Sequence, residues 1–571
     1  MRKIMKQAGP RSNPRKVNIT AYLRSMAETR PYAKAVILPA GTDRKGRRLY
    51  RHITFNEIER MGNSLSRGFI AKGIGRGTRT ILMVRPGVEF LCIMLALFRI
   101  GAVPVLVDPG MGLGRMLHCM GETAAEAFIG IPPAHIIRLL APRFFQSVSV
   151  AITVGRRLFW GGCTLDDLIR GGNGAFPIAD TKEKDLAMIA FTTGSTGPAK
   201  GVEYTHGMID AQVRSLRDLF RVAPGSIGLH TYPAFALFDG CLGATTIFPR
   251  MDASRPAKVE PKNIIDPIED HGVDYLFGSP ALVGKVARYA RSKGIRLPSL
   301  KTVICGGAPV SPQIVEDVSA ILGDDGDIYA TYGATEALPI SSIAGREILS
   351  ETASQTRLGR GVCVGRPVPG TDIRIIRITD EPIPRWSASI LAPRGEIGEI
   401  ALAGPQVSER YYNRPEADRY GKIRLPDGRI LHRTGDVGRL DEKGRIWMCG
   451  RMKQRVVTPR GTLFTVPCEA IFNNHPAVFR SALVGVPWGD ETIPVICIEL
   501  KRGTPRRLRR VIEAELLRMA RENPMTKDIS AVLFHRSFPV DIRHNAKIFR
   551  EKLALWAKRR LKRRTARQPS R

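Results

Sequence analysis

From about residue 50 the chain alternates short apolar runs with segments whose apolar positions recur at helical spacing. Residues 80–84 and 103–107 are rich in β-branched and aliphatic side chains and read as buried parallel strands, with a helical pattern over 88–98 between them. The same style continues from 186 to about 342. Runs at 188–191, 275–277 and 302–305 each end in a turn rich in Gly, Ser or Thr. Such alternation predicts layered α/β architecture, and ligands collect beyond the carboxyl ends of strands in open α/β sheets. From about 360 to 448 the texture shifts to short strands, as at 372–377 and 399–403, divided by Gly, Pro and Asp turns. A basic, turn-like junction over 450–461 leads into a small α+β unit that ends in a helical pattern at 548–561. The longest apolar run, 90–98, falls short of the roughly 20 residues that span a bilayer and reads as a buried helix.

The sharpest local signal is Phe191-Thr-Thr-Gly-Ser-Thr-Gly-Pro-Ala-Lys-Gly201. Gly194, Gly197 and Gly201 let the backbone come close to a ligand and turn its N–H groups inward. Thr192, Thr193, Ser195 and Thr196 add hydroxyls, and Lys200 adds a positive charge suited to a polyphosphate. The loop is not a Walker A sequence, because Ala199 precedes the lysine and Gly201 follows it. On composition alone it would also pass for a surface loop; the strand before it and the motifs after it weigh against that.

The loop resembles the phosphate loop of the adenylate-forming superfamily, which includes acyl-CoA synthetases, luciferases and peptide-synthetase adenylation domains. Other segments resemble that family's motifs in the same order. Gly306-Gly307-Ala308-Pro309 is similar to the adenine-side loop and Tyr332-Gly333-Ala334-Thr335-Glu336 to the aromatic-Gly-x-Thr-Glu motif. Thr434-Gly435-Asp436 is similar to the ribose motif, Gly450-Arg451-x-Lys453 to the hinge and Asn545-Ala546-Lys547-Ile548 to the catalytic-lysine motif. The resemblance implies ATP as the activating substrate and Mg²⁺ held by Glu336, a hard oxygen ligand. It implies Tyr332 stacked on adenine, Thr335 donating to the α-phosphate, and Asp436 with Arg451 at the ribose. Lys453 becomes the pivot of the small domain, and Lys547 the cation that offsets charge as a carboxylate attacks phosphorus. The implied fold is α/β: a basic N-terminus over 1–20, then a large domain over 21–449 built of two α/β subdomains and a β-barrel-like one. A small mobile α+β domain over 450–555 and a basic tail over 556–571 follow.

Departures from the acyl-CoA ligase pattern narrow the resemblance. The ligase segment Pro-x-Phe-His-x-x-Gly here ends Phe235-Ala-Leu-Phe-Asp239, with Ala236 for the histidine and Asp239 for the glycine. The stretch 455–467 matches the CoA-admitting segment poorly, and Ala546 replaces the usual glycine before the lysine. These features, with Gly101-Ala-Val-Pro-Val-Leu-Val-Asp-Pro-Gly110 and Phe538-Pro-Val-Asp-Ile-Arg-His-Asn-Ala-Lys547, resemble the β-lactone synthetases of bacterial long-chain olefin biosynthesis. That resemblance implies a 2-alkyl-3-hydroxy long-chain fatty acid as substrate. It would be adenylated and then closed to a β-lactone by its own hydroxyl, a tethered nucleophile with a high effective concentration. It also implies work beside the other olefin-biosynthesis enzymes. Asp239 and His544 are candidate bases for the hydroxyl; a capped helix for Asp239 and an exposed or packed imidazole for His544 are their structural alternatives. Rival readings are a long-chain fatty acid–CoA ligase of the same fold, and a basic binding protein with an inactive adenylation fold.

Composition adds one question and removes others. Nine cysteines without a C-x-x-C pair, and no metal-spaced histidines, point away from disulfide and zinc frameworks and toward a reducing cytoplasm. No apolar segment follows the basic N-terminus in the manner of a signal peptide. The net charge of +35 suits either a solvated arginine-rich surface or an anionic partner. No nucleic-acid motif accompanies it, so nucleic acid is not expected. The basic stretch 558–571 makes anionic lipid a candidate contact at the inner face of the membrane.

Overall fold

The computed structural model describes residues 16–170, 174–191, 199–232, 235–540 and 548–565. Two large sheets and a small one carry the chain. The first has seven strands. Cys163–Thr164, Val150–Thr153, Ala127–Gly130, Arg79–Met83, Val103–Leu106 and Leu186–Phe191 run parallel, and Gly201–Thr205 closes the edge antiparallel to Leu186–Phe191. The second is larger. Its parallel heart is Thr245–Ile247, Ile227–His230, Tyr275–Gly278, Thr302–Gly306 and Asp327–Ala334. It then turns antiparallel through Ala337–Ala344 and Val362–Pro367. The β-rich region expected from about 360 continues this same ladder through Ile446–Arg451, Ile430–Leu440, Gly398–Ala403 and Asp372–Ile376.

The run read as a buried helix is Val88–Ile100, and twelve of its side chains are buried. Gly101 closes it in the left-handed conformation (φ 72°), which a Cβ would strain. Its one inward cation, Arg99, is fully buried and is met by Glu59 and Asn63 on the helix Phe55–Ala71, so the charge is paired inside the core.

His206 opens the helix His206–Phe220 and is wholly buried, its ring edge-on to Phe98 at 6.2 Å. Burial pushes its pKa down to about 4. The folded value lies below the unfolded one, so the unfolded chain takes up the proton first. The stability held by neutral His206 is therefore complete above about pH 6.5 and is lost as pH falls toward 4, amounting to about 3 kcal/mol. Urea unfolding of His206→Phe is expected to show a flatter stability profile between those pH values. An unchanged profile would place the acid sensitivity elsewhere.

Beyond residue 455 a two-stranded ribbon, Val456–Thr458 with Gly461–Leu463, leads to a three-stranded sheet. Val478–Trp488 and Glu491–Leu500 pair antiparallel and Ala531–Phe534 joins in parallel. Helices Thr465–Asn473, Arg509–Glu522 and Arg550–Thr565 accompany it. The last helix runs through residue 556, where the sequence suggests a solvated tail. Ala557 is fully buried beside Leu553, so apolar packing carries the helix past that point. All nine cysteines are free thiols, eight of them buried.

Candidate active site

A cavity of about 2170 Å³ opens where the parallel strands of the second sheet end. Thr231, Ser279, Gly307 and Thr335, each just past a strand of that sheet, line it. Gly307 has φ +89° and lets the chain turn directly from Thr302–Gly306 into Ala308 and Pro309, which also line the cavity.

At one end Asp436, buried on Ile430–Leu440, accepts a hydrogen bond from the Tyr332 hydroxyl at 2.6 Å and faces the Arg451 Nε at 2.9 Å. The register sets Asp436 opposite Arg451 on neighbouring strands. Burial and the adjoining carboxylate push the Tyr332 phenol well above its ordinary range, so it stays a donor. Behind this group lies a pair that the motifs do not reveal. Arg433 and Glu399 are both buried and meet at 2.6 Å, and Glu399 also accepts the Gly435 N–H at 3.2 Å. Arg433 further donates to the carbonyls of Thr379 and Glu381. This pair fixes the Thr434-Gly435-Asp436 bend.

Thr335 and Glu336 form the two-residue tip of the hairpin between Asp327–Ala334 and Ala337–Ala344, beside Gly333. The Thr335 carbonyl accepts the Tyr204 hydroxyl at 2.6 Å, and the Glu336 Oε1 accepts the Tyr411 hydroxyl at 2.7 Å. The Tyr411 ring also carries two ammonium groups, Lys200 at 4.6 Å and Lys422 at 5.0 Å from its centroid. Lys422 is buried and donates to the Ser408 carbonyl; burial pushes its pKa down to about 8, with Glu336 opposing the fall. Burial likewise lowers His432, to about 3, so its ring is neutral at neutral pH. Burial by itself raises the Glu336 carboxyl, but His432, the Tyr411 hydroxyl and Lys422 turn the balance and hold it below the usual carboxylate range. Because His432 is neutral, Lys422 and the phenol carry that effect. Glu336 is thus an ionised carboxylate on the cavity wall. Among the described residues no cluster of three metal-ligating side chains occurs, and Glu336 is the carboxylate that the hairpin tip offers a hard cation. That donor set suits Mg²⁺ brought in on phosphates.

Lys453 is exposed on the short turn Met452–Gln454, between the large sheet and the ribbon, and lines the cavity. Arg550 and Glu469 line it too, the Arg550 Nη2 donating to both Glu469 oxygens at 2.6 and 2.8 Å. Ile548, the residue after Lys547, also lines the cavity. Lys547 and His544, together with Thr192, Thr193, Gly194, Ser195, Thr196 and Gly197, lie outside the described residues.

The other end of the cavity is apolar. Phe235 stacks on Phe277 with centroids 3.8 Å apart and meets Phe238 edge-on at 5.9 Å; Ile209, Leu216 and Phe220 extend this wall. Met83 contributes from the first sheet, Ile131 from just past its strand Ala127–Gly130, and Phe90 and Ile137 from the helices Val88–Ile100 and Pro132–Leu140. Asp239 is not among the residues that line the cavity, and it lies inside the helix Ala236–Leu242 rather than capping it. It sits buried one layer behind Phe235 and Phe238. Its carboxylate takes the Tyr275 hydroxyl at 2.6 Å and the Thr246 hydroxyl at 2.7 Å, and lies 2.6 Å from the His230 Nε2. Both of its oxygens are thus engaged by side chains of the second sheet.

The two sheets thus meet over one cleft whose lining holds an Asp–Tyr–Arg group and an aromatic wall. The chain belongs to the AMP-binding enzyme family, whose model matches residues 23–412. It is 44% identical over 546 residues to an olefin beta-lactone synthetase from Xanthomonas campestris pv. campestris, covering 95% of this chain and 97% of that protein. It is 43% identical to another from Stenotrophomonas maltophilia, covering 96% and 100%. The fold superposes on ATP-bound MatB from Rhodopseudomonas palustris with a TM-score of 0.74, at 22% identity over 95% of this chain and 99% of that one. The fold is that of the adenylate-forming enzymes.

Proposed function

We propose that the protein adenylates the carboxylate of a 2-alkyl-3-hydroxy long-chain fatty acid and closes the product to a β-lactone. A carboxylate oxygen bonds to the α-phosphorus of ATP and pyrophosphate departs. The substrate's 3-hydroxyl oxygen then bonds to the acyl carbon, loses its proton, and AMP departs. Asp436 and Arg451 are assigned to the ribose, the Tyr332 ring with Gly307, Ala308 and Pro309 to the base, and Thr335 to the α-phosphate. Lys200 and the loop before it would take the terminal phosphates, and Lys547 the charge that builds as the carboxylate attacks. Glu336 would hold Mg²⁺, which when bound neutralises phosphate charge.

One observation carries this reading. A single cavity joins the polar end at Asp436 to the aromatic wall at Phe235 and Phe277, so a nucleotide and a large apolar acid share one enclosure. The two relatives more than 40% identical over nearly the whole chain support the lactone as its product. No second nucleophile is needed, because the hydroxyl arrives on the substrate. Enzymes that condense and reduce acyl chains must supply such an acid, and one that decarboxylates the lactone would consume the product; these are its natural companions.

The test is product analysis by proton NMR with ATP, Mg²⁺ and a synthetic 2-alkyl-3-hydroxy acid, with and without CoA. β-Lactone and AMP formed regardless of CoA are expected. An acyl-CoA formed only with CoA, and no lactone, would move the protein to the fatty acid–CoA ligases.

A further inference from the structure

The helix Pro132–Leu140 is apolar on two faces. One face lines the cavity through Pro133, Ala134 and Ile137. The other turns Ile136 (40% exposed), Leu139 (41%) and Leu140 (80%) outward, at the i, i+3, i+4 spacing that marks one side of a helix. The outward stripe has a neighbour. His135 of the same helix is buried and stacks on Trp160 at 5.2 Å, and Trp160 meets the edge of Phe159, which is 80% exposed. Leu158 beside it is exposed as well. Isolated exposed leucines need no explanation, but a stripe joined to an exposed aromatic does.

Charge says what covers it. Between Glu126 and Asp166 the chain contains no acidic residue, while Arg143, Arg156 and Arg157 of the same stretch are exposed. Aliphatic side chains flanked by arginines, with no acid among them, match an interface of acyl chains under anionic headgroups. We propose that this face, Ile136, Leu139 and Leu140 with Leu158 and Phe159, docks the protein on an anionic lipid surface. The helix that touches lipid on one side walls the cavity on the other. A long-chain acid can therefore pass from the bilayer into the site without crossing open water. The purpose of the contact rests on the long-chain acid reading, whereas the contact itself does not.

The test is co-sedimentation of the full chain with vesicles of phosphatidylcholine alone, and of equal parts phosphatidylcholine and phosphatidylglycerol. Binding to the mixed vesicles is expected, falling about tenfold or more in Leu139→Glu/Leu140→Glu and falling also in Phe159→Ser. Melting temperature and its response to ATP should stay as in the parent, because these side chains are exposed and do not line the cavity. A tryptophan at this face, as Phe159→Trp, should blue-shift on mixed vesicles alone. Three results would overturn the proposal: no binding to the mixed vesicles; binding that drops only in Lys562→Glu/Arg563→Glu on the C-terminal helix; or unchanged vesicle binding with loss of a self-associated species in the leucine variant, which would give the face to a second copy. Lactone formation in detergent reports on the catalytic reading independently, so the two failures remain distinguishable.

Discussion

Glu336→Gln is expected to lower pyrophosphate release from ATP by about two to three orders of magnitude, the scale on which removing one preorganised electrostatic group acts. Glutamine keeps the shape and can still accept the Tyr411 hydroxyl, so the hairpin tip should hold its place. What disappears is the anion. Lys200 and Lys422 then share the Tyr411 ring with Asp418 as their common remaining carboxylate, and Lys422, already lowered to about 8 by burial, loses the strongest of the carboxylates that opposed the fall. The Mg²⁺ concentration giving half-maximal rate should rise in the variant. Full activity at the parent's Mg²⁺ dependence would make Glu336 a structural acceptor only.

Asp239→Asn carries the second large effect, and its character differs from what the sequence suggests. As a base for the hydroxyl, Asp239 would matter to lactone closure and leave adenylation intact. In the structure its carboxylate, on the helix that carries Phe238, is an acceptor among His230, Thr246 and Tyr275, which stand on three strands of the second sheet. Asparagine places an N–H in one of the two oxygen positions, so at least one of those hydroxyls loses its acceptor. A loss of about 3 kcal/mol in unfolding free energy is expected, since buried polar networks are costly when half satisfied. Pyrophosphate release and lactone yield should fall together, because Phe235 and Phe238 lose their backing. A stable variant that adenylates normally but makes no lactone would restore Asp239 to direct catalysis.

Side chains whose role follows from backbone position are legible in the sequence. Gly307 follows a strand that the local pattern announces, whereas Thr335 and Asp436 are picked out, and grouped with it, by the resemblance to the adenylate-forming motifs. Residues that act by approach from a distance are not legible. Nothing near Glu399 signals that it will meet Arg433, thirty-four positions on, behind the Gly435 bend. Lys422 reads as one more surface cation in an arginine-rich chain, yet the fold buries it. Asp239 did carry a signal: an acid set in Phe238-Asp239-Gly240-Cys241-Leu242 has apolar neighbours on both sides, which suits a buried, partnered carboxylate better than one facing solvent or substrate.

The segment 407–412 crosses from the second sheet to the edge of the first. Ser408 donates to the Glu203 carbonyl, Tyr411 forms a bridge with Val202, and the Tyr412 N–H reaches the Gly201 carbonyl at 2.8 Å. This stitching bears on the order in which the molecule is born. A nascent chain that has emerged only to residue 400 already contains Lys200 and the hairpin with Glu336. It lacks the tyrosine on which both depend. The site therefore comes into being late in synthesis, when a strand made some two hundred residues earlier is finally fastened, and until then the growing chain carries an activating centre that is not yet assembled.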